Sequence, residues 1–174
     1  GRTALHCACR GRCVDVVDYL LGLKAEVNAR GLYGWTPLHV AASNAHPQCV
    51  KRLLDAGADA SISAANGSIP LHFACDSAEC IALLIAAHPR GVFAVNKDGL
   101  TPLHFAAQFG TPDGCGLLLD AGSIVDALDN NGNTPLYWAF RFRGYDIVEC
   151  LLNRGARLDR VKLDKSVPAI PEWA

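Results

Sequence analysis

Four histidines recur at nearly constant spacing in this chain of 174 residues: His6, His39, His72 and His104. Histidine is a frequent general acid or base and a common metal ligand, so such a series could mark catalysis or metal binding. All four, however, occupy the same place in a repeated five-residue phrase, and one shared packing role explains that better than four catalytic roles. The sequence also contains no phosphate-binding loop, nucleophile elbow or HExxH pattern. We therefore predict that the chain has no catalytic residues and is not an enzyme.

The eight cysteines raise the question of a metal site. The densest group is His6, Cys7, Cys9 and Cys13, but alternate residues of a short helix do not share a face, and the spacings match no usual zinc pattern. We expect no metal and no cofactor. Many unpaired thiols indicate a reducing compartment, so we predict an intracellular protein, cytoplasmic or nuclear. A thiol-based sensor is a further alternative and would require reactive cysteines.

Most of the cysteines stand at positions where other copies of the repeat carry alanine, valine or isoleucine. Cysteine in such a place behaves as a small buried apolar residue. The positions concerned are Cys9, Cys49, Cys80, Cys115 and Cys150.

The histidine phrase itself is an internal repeat. It reads TALHC, TPLHV, IPLHF, TPLHF and TPLYW, beginning at residues 3, 36, 69, 101 and 134, so its steps are 33, 33, 32 and 33 residues. A constant period of this size predicts a stack of similar structural units, each packed on its neighbours.

Proline occupies the second place of four phrases and suits the first turn of a helix, where its missing N–H has no partner to lose. A threonine precedes three of these prolines and suits an N-cap. First helices are therefore predicted to begin at Pro37, Pro70, Pro102 and Pro135. Pro47 and Pro112 predict the starts of second helices, and Gly57, Gly122 and Gly155 predict their ends.

The rest of each copy follows the phrase in a fixed order. The segment from Thr36 to Ala60 and the segment from Thr101 to Ala127 both place Ala-Ala, a Leu-Leu pair and an Asp-Ala-Gly turn after TPLH. These features resemble the ankyrin repeat over essentially the whole chain. The resemblance implies an all-α solenoid of stacked helix-turn-helix units joined by β-hairpin-like loops. We predict one domain, residues 1–159, with repeats at 1–30, 31–63, 64–95, 96–128 and 129–159.

The same resemblance implies a protein-protein interaction module, a scaffold or adaptor that binds a partner protein or peptide. In the ankyrin family, hairpin tips before the phrase and exposed residues after Ala-Ala line the concave, ligand-facing side. Large aromatic side chains and arginine dominate interface energetics. By this analogy, the predicted partner-binding residues are Tyr33, Trp35, Leu100, Phe109, Arg141 and Phe142.

Structural roles compete with binding for some aromatic residues. Trp35 could fold beside its own hairpin, and Phe142 could cover the end of the stack. Phe73, Phe105 and Trp138 directly follow the histidine position, where the family keeps an apolar packing residue, so we assign them to the core.

Repeat 3 departs from the pattern. It loses two residues after Leu71 and gains one around residues 87–90, which predicts a short first helix and an irregular turn after the second. Ala64 and Ile69 stand where the family has aspartate and threonine. Two hairpin hydrogen bonds are therefore in doubt.

Composition narrows the class of partner. The net charge of −1 and a pI near 6.6 argue against nucleic-acid binding, which usually requires a basic surface. The longest apolar run, residues 80–87, is too short to span a bilayer, so we expect no membrane insertion. We also expect the domain to be monomeric.

The two ends of the chain leave alternatives open. Gly1 lies inside a repeat, so the chain could instead be the regulatory or targeting segment of a larger enzyme or channel whose catalytic part lies elsewhere. At the other end, residues 160–174 contain Pro168 and Pro171, which predict an extended tail, with Trp173 docked on repeat 5 or free to bind.

Overall fold

The structure, a computed structural model, describes residues 1–161. Within this range the chain forms five pairs of α-helices, and each predicted repeat contains one pair. The pairs are α1 (Ala4–Arg10) with α2 (Val14–Gly22), α3 (Pro37–Ser43) with α4 (Pro47–Asp55), α5 (Pro70–Phe73) with α6 (Ala78–Ala87), α7 (Pro102–Phe109) with α8 (Pro112–Asp120), and α9 (Pro135–Arg141) with α10 (Tyr145–Asn153). The tail prediction, including Trp173, falls almost wholly on residues 162–174, outside the described residues.

The helices form two layers. The first helices stack in the order α1, α3, α5, α7 and α9, and the second helices stack in the order α2, α4, α6, α8 and α10. The loops between repeats contain no β-strand within residues 1–161, and each is closed like a hairpin by a backbone hydrogen bond between its end residues, with a second backbone bond inside the loop. The closing bonds run from Gly31 to Trp35, Ala64 to Ser68, Asn96 to Leu100 and Asp129 to Asn133, at 2.7 to 3.0 Å. The predicted all-α solenoid with hairpin-like loops is confirmed.

The helix boundaries follow the sequence signals. Every proline predicted to begin a helix does so. The glycines that end α4, α8 and α10 have positive φ angles of 86°, 94° and 87°, where a residue without a Cβ avoids strain. Thr111 caps α8 by accepting a hydrogen bond from the Gly114 N–H at 3.1 Å.

The core lies between the two helix layers. Its repeating members are the leucine of each phrase, such as Leu38 and Leu103, and second-helix residues such as Val50 and Leu118, all essentially inaccessible to water. Full burial of one such side chain contributes roughly 1.5 to 3 kcal/mol. Four cysteines lie in this core as predicted, namely Cys9, Cys49, Cys80 and Cys115, whereas Cys150 is only partly buried.

Repeat 3 has the irregular form that its sequence predicts. Helix α5 has only four residues, about one turn, where α7 has eight. After α6 the chain enters a 3₁₀ turn at Pro89–Phe93 instead of the usual tight turn. None of the helices in residues 1–161 is both long and apolar enough to cross a bilayer.

Candidate binding surface

The histidine of each phrase connects its own repeat to the next one. The Nδ1 atom of His39 accepts hydrogen bonds from the Thr36 N–H at 3.1 Å and the Thr36 hydroxyl at 2.9 Å. Because Nδ1 accepts, the ring proton is on Nε2, which donates to the Ser68 carbonyl of the next loop at 3.1 Å. The other histidines form the same bridge: His6 to the Trp35 carbonyl at 2.9 Å, His72 to Leu100 at 3.1 Å and His104 to Asn133 at 3.2 Å. We call these four residues the histidine row.

The surroundings of His39, His72 and His104 keep these three rings neutral. Burial lowers the pKa of His39 and of His72 to about 4, and also lowers the pKa of His104, although the carbonyl acceptors partly oppose the effect. A neutral ring that uses both nitrogens in fixed hydrogen bonds is a structural bridge. It is not poised to accept a proton from a substrate.

The loop tips form a connected edge beside the first helices. Each tip donates a backbone hydrogen bond to the tip before it: Ala65 to Tyr33 at 2.8 Å, Lys97 to Asn66 at 2.9 Å and Asn130 to Asp98 at 3.0 Å. In the last loop, the Asp129 carboxylate also accepts the N–H groups of Asn131 and Asn133 at 2.8 Å. Ala64 and Ile69 have no side-chain acceptor or hydroxyl, so the two hydrogen bonds doubted for repeat 3 are missing. This edge holds the tip side chains in defined positions.

The six predicted binding residues lie on this side of the molecule with different exposures. Tyr33 is 80% exposed, Phe109 54% and Phe142 45%, and Arg141 is also exposed. Trp35 and Leu100 are half-buried. The structure brings Phe109 and Phe142 together, with ring centroids 5.7 Å apart, whereas Trp35 contacts the ring of Phe73 in the next repeat, at 4.6 Å.

The assignment of Phe73 and Phe105 to the core is wrong. Both rings are half-buried and lie outside the core cluster, where they contact each other and the histidine rings, whereas Val40 at the same position of repeat 2 is buried in the core. Trp138 is also half-buried but packs against the core. The sequence did contain a signal for an aromatic surface here. An aromatic residue follows the histidine position of the phrase in three successive repeats.

These residues form two groups of contacting aromatic rings along the first helices, Trp35 with Phe73 and Phe105, and Phe109 with Phe142 and Trp138. Phe73 contacts Phe105 edge to face at 5.7 Å, and Trp138 stacks on Phe142 at 6.1 Å. Phe105 and Phe109 are four residues apart on α7 and therefore share one face of that helix. We call this surface the aromatic row: Trp35, Phe73, Phe105, Phe109, Trp138 and Phe142.

A cavity of about 340 Å³ opens at the end of the aromatic row that belongs to repeats 1 and 2. Tyr33, Trp35 and Val40 line it together with Arg2 and Arg10. Within residues 1–161 neither arginine has an ion-pair partner, whereas Arg52 and Arg154 bind Asp18 and Asp120. Apolar walls with a few polar groups are typical of ligand pockets.

Comparison with known proteins agrees with this architecture. The family description "Ankyrin repeats (3 copies)" matches residues 1–64, 23–92 and 71–162. The chain is 37% identical over 123 residues to Tyrosine-protein kinase HTK16 of Hydra vulgaris, covering 67% of this chain and 16% of that protein. It is 32% identical over 138 residues to the B-cell lymphoma 3 protein homolog of Mus musculus, covering 74% and 31%. It is 31% identical over 121 residues to NF-kappa-B inhibitor alpha of Sus scrofa, covering 66% and 38%. The matches thus span well under half of each relative.

Proposed function

The chain belongs to the ankyrin-repeat family, whose repeats are non-catalytic protein-interaction modules, and we propose that it binds its partner through the aromatic row and the loop tips. The observation that carries this proposal is the aromatic row itself. Two neighbouring groups of half-exposed aromatic rings on one side of the stack are unusual on a surface that contacts only water. Aromatic residues of this kind supply most of the binding energy in protein interfaces.

The neighbouring groups support an interface at the same place. Tyr33 and Arg141 are exposed residues of the types enriched in interface hot spots. The bonded loop tips restrict motion at the rim, so less conformational entropy is lost when a partner binds. Scaffold or adaptor is therefore the leading function.

The proposal can be tested by affinity capture from cells with the wild-type chain and matched variants. Phe109→Ala with Phe142→Ala removes two adjacent rings of the aromatic row. Phe93→Ala removes a similarly exposed ring, 52% accessible, from the 3₁₀ turn after α6. We expect the first variant to lose a partner that Phe93→Ala retains, with unchanged helical circular dichroism in both. Equal capture by all three chains would refute a role for the aromatic row.

A second candidate is a regulatory or targeting segment of a larger enzyme or channel. It is favoured by the match to part of a tyrosine-protein kinase, of which the chain spans 16%. The complete sequence of the natural protein distinguishes the two candidates.

We propose further that the domain is intracellular, monomeric and does not bind nucleic acid. The eight cysteines are unpaired, and burial raises the pKa of Cys9 and Cys115 to about 12, so those thiols are protonated and unreactive. The net charge of −1 supports a protein partner over nucleic acid. Light scattering at micromolar concentration should give the monomer mass, and a dimer mass would contradict this proposal.

A further inference from the structure

The cavity between repeats 1 and 2 combines an apolar wall with two arginines that lack partners in the described chain. Trp35 and Val40 supply apolar surface, Tyr33 stands at the rim, and Arg2 and Arg10 supply positive charge. Its volume of about 340 Å³ is large enough for one or two side chains, although it is too open to enclose a free small molecule completely.

The tip residue at this cavity is held in an uncommon backbone conformation. Tyr33 has a φ of 57°, and its carbonyl accepts a hydrogen bond from the Ala65 N–H at 2.8 Å. A bulky residue in the left-handed region costs free energy, and such strain is often found where a side chain must be placed for binding. The neighbouring loop thus helps to fix an 80% exposed aromatic side chain at the rim.

The positive charge at the cavity indicates which chemical group a ligand bound there would carry. Arginine binds a carboxylate through two parallel N–H donors, and its guanidinium also stacks on aromatic rings. Arg52 and Arg154 have aspartate partners, whereas Arg2 and Arg10 line one cavity and have no ion-pair partner in the described chain. Arg2 and Arg10 therefore place two unpaired positive charges beside one apolar wall, an arrangement that a carboxylate next to an apolar side chain complements.

We propose that this cavity binds a peptide segment of the partner in which an aspartate or glutamate lies within two residues of a large apolar side chain. The carboxylate pairs with Arg2 and Arg10, and the apolar side chain packs on Trp35 and Val40. This inference rests on the proposed function, since it specifies how one end of the aromatic row recognises the partner.

Selection from a displayed library of random twelve-residue peptides tests the proposal on the full chain. The wild type should enrich peptides with the acidic-apolar pattern, and the Arg2→Gln, Arg10→Gln double variant should not. The best peptide, measured by fluorescence anisotropy, should bind the double variant at least tenfold more weakly. Lys51→Gln with Arg90→Gln removes the same charge from residues that do not line the cavity and should leave the Kd within twofold.

The outcomes separate this inference from the proposed function. Peptides that lose affinity with Phe109→Ala but not with the arginine variant would overturn the acidic pocket and leave the aromatic row as the interface. Peptides whose affinity neither change alters would overturn both the acidic pocket and the aromatic row as the interface. A phosphoserine peptide that binds while its glutamate counterpart does not would also overturn the carboxylate assignment. Both arginines are exposed at least in part, and matching thermal melts would show that the double variant is folded.

Discussion

Phe73 and Phe105 of the aromatic row directly follow His72 and His104 of the histidine row in the sequence but differ from them in exposure. His72 is inaccessible to water and bonded at both ring nitrogens, whereas the adjacent Phe73 is half-exposed and contacts the rings of Trp35, Phe105 and His39. Consecutive residues of a helix differ by about 100° in direction, so one position reaches the next loop while the other faces outward. Repetition in sequence therefore does not by itself indicate burial or a structural role.

Removing one member of the histidine row should have the largest effect. His39→Ala deletes a buried ring that joins Thr36 to Ser68, leaves the Thr36 N–H without its acceptor, and leaves the Ser68 carbonyl with only the hydrogen bond from the Ala64 N–H. Unsatisfied buried groups and the cavity together should lower the free energy of unfolding by about 3 to 5 kcal/mol. Urea denaturation measures this loss. A loss below about 1 kcal/mol would mean that the histidine row does not stabilise the fold more than the aromatic row does.

Lowering the pH should reduce the stability of the fold through its buried histidines. The pKa of His39 and His72 is about 4 in the folded chain, below the usual value of 6.5, so the unfolded state binds more protons between these values. Stability is therefore complete above about pH 7 and falls as the pH drops through 6.5 toward 4. Two such shifts predict a loss of about 3 kcal/mol between pH 7.5 and pH 5.5.

A variant that lacks one titrating histidine provides the control for the effect of acid on stability. His72→Gln should remove one of the three contributions, from His39, His72 and His104, to the loss measured by urea denaturation between pH 7.5 and 5.5, whatever its stability at pH 7.5. Carboxylates such as Asp59, whose pKa is lowered by its Ser61 hydrogen bonds, act at lower pH and do not interfere. An unchanged pH dependence would show that the buried histidines do not cause the acid effect.

Truncation in the aromatic row should cost less stability than truncation in the histidine row. Phe73→Ala removes a half-buried ring, and about half of the usual cost of a buried phenylalanine is about 2 kcal/mol. The matched comparison is His72→Ala, one residue away, in the same urea experiment. If Phe73→Ala were the more destabilising change, Phe73 would belong to the core after all.

The sequence predicted most of the scaffold because helix starts, helix ends and the repeat period are local signals. Pro102, Gly122 and the shortened α5 were all placed correctly. It did not predict the exposure of Phe73 and Phe105, because an apolar residue on a short helix fits either face and only the neighbouring repeat determines which. The cavity at Arg2 and Arg10 was also missed, since it depends on residues about 30 positions apart.

The smallest predicted effect concerns the hydroxyl that supports the histidine row. Thr36→Val keeps the shape and the backbone donor to His39 but removes the hydroxyl hydrogen bond of 2.9 Å, which should cost about 1 kcal/mol. Repeat 3 already has Ile69 at this position, and His72 there still accepts the backbone N–H at 3.2 Å and reaches the next loop. The hydroxyl donates to an unprotonated Nδ1, and the His39 pKa of about 4 keeps Nδ1 unprotonated at pH 5.5, so the loss should be about the same at pH 7.5 and 5.5. Urea titrations of Thr36→Val at pH 7.5 and 5.5 measure both losses. A loss of unfolding free energy above about 3 kcal/mol at pH 7.5 would mean that the hydroxyl, and not the imidazole ring, supplies most of the stabilisation.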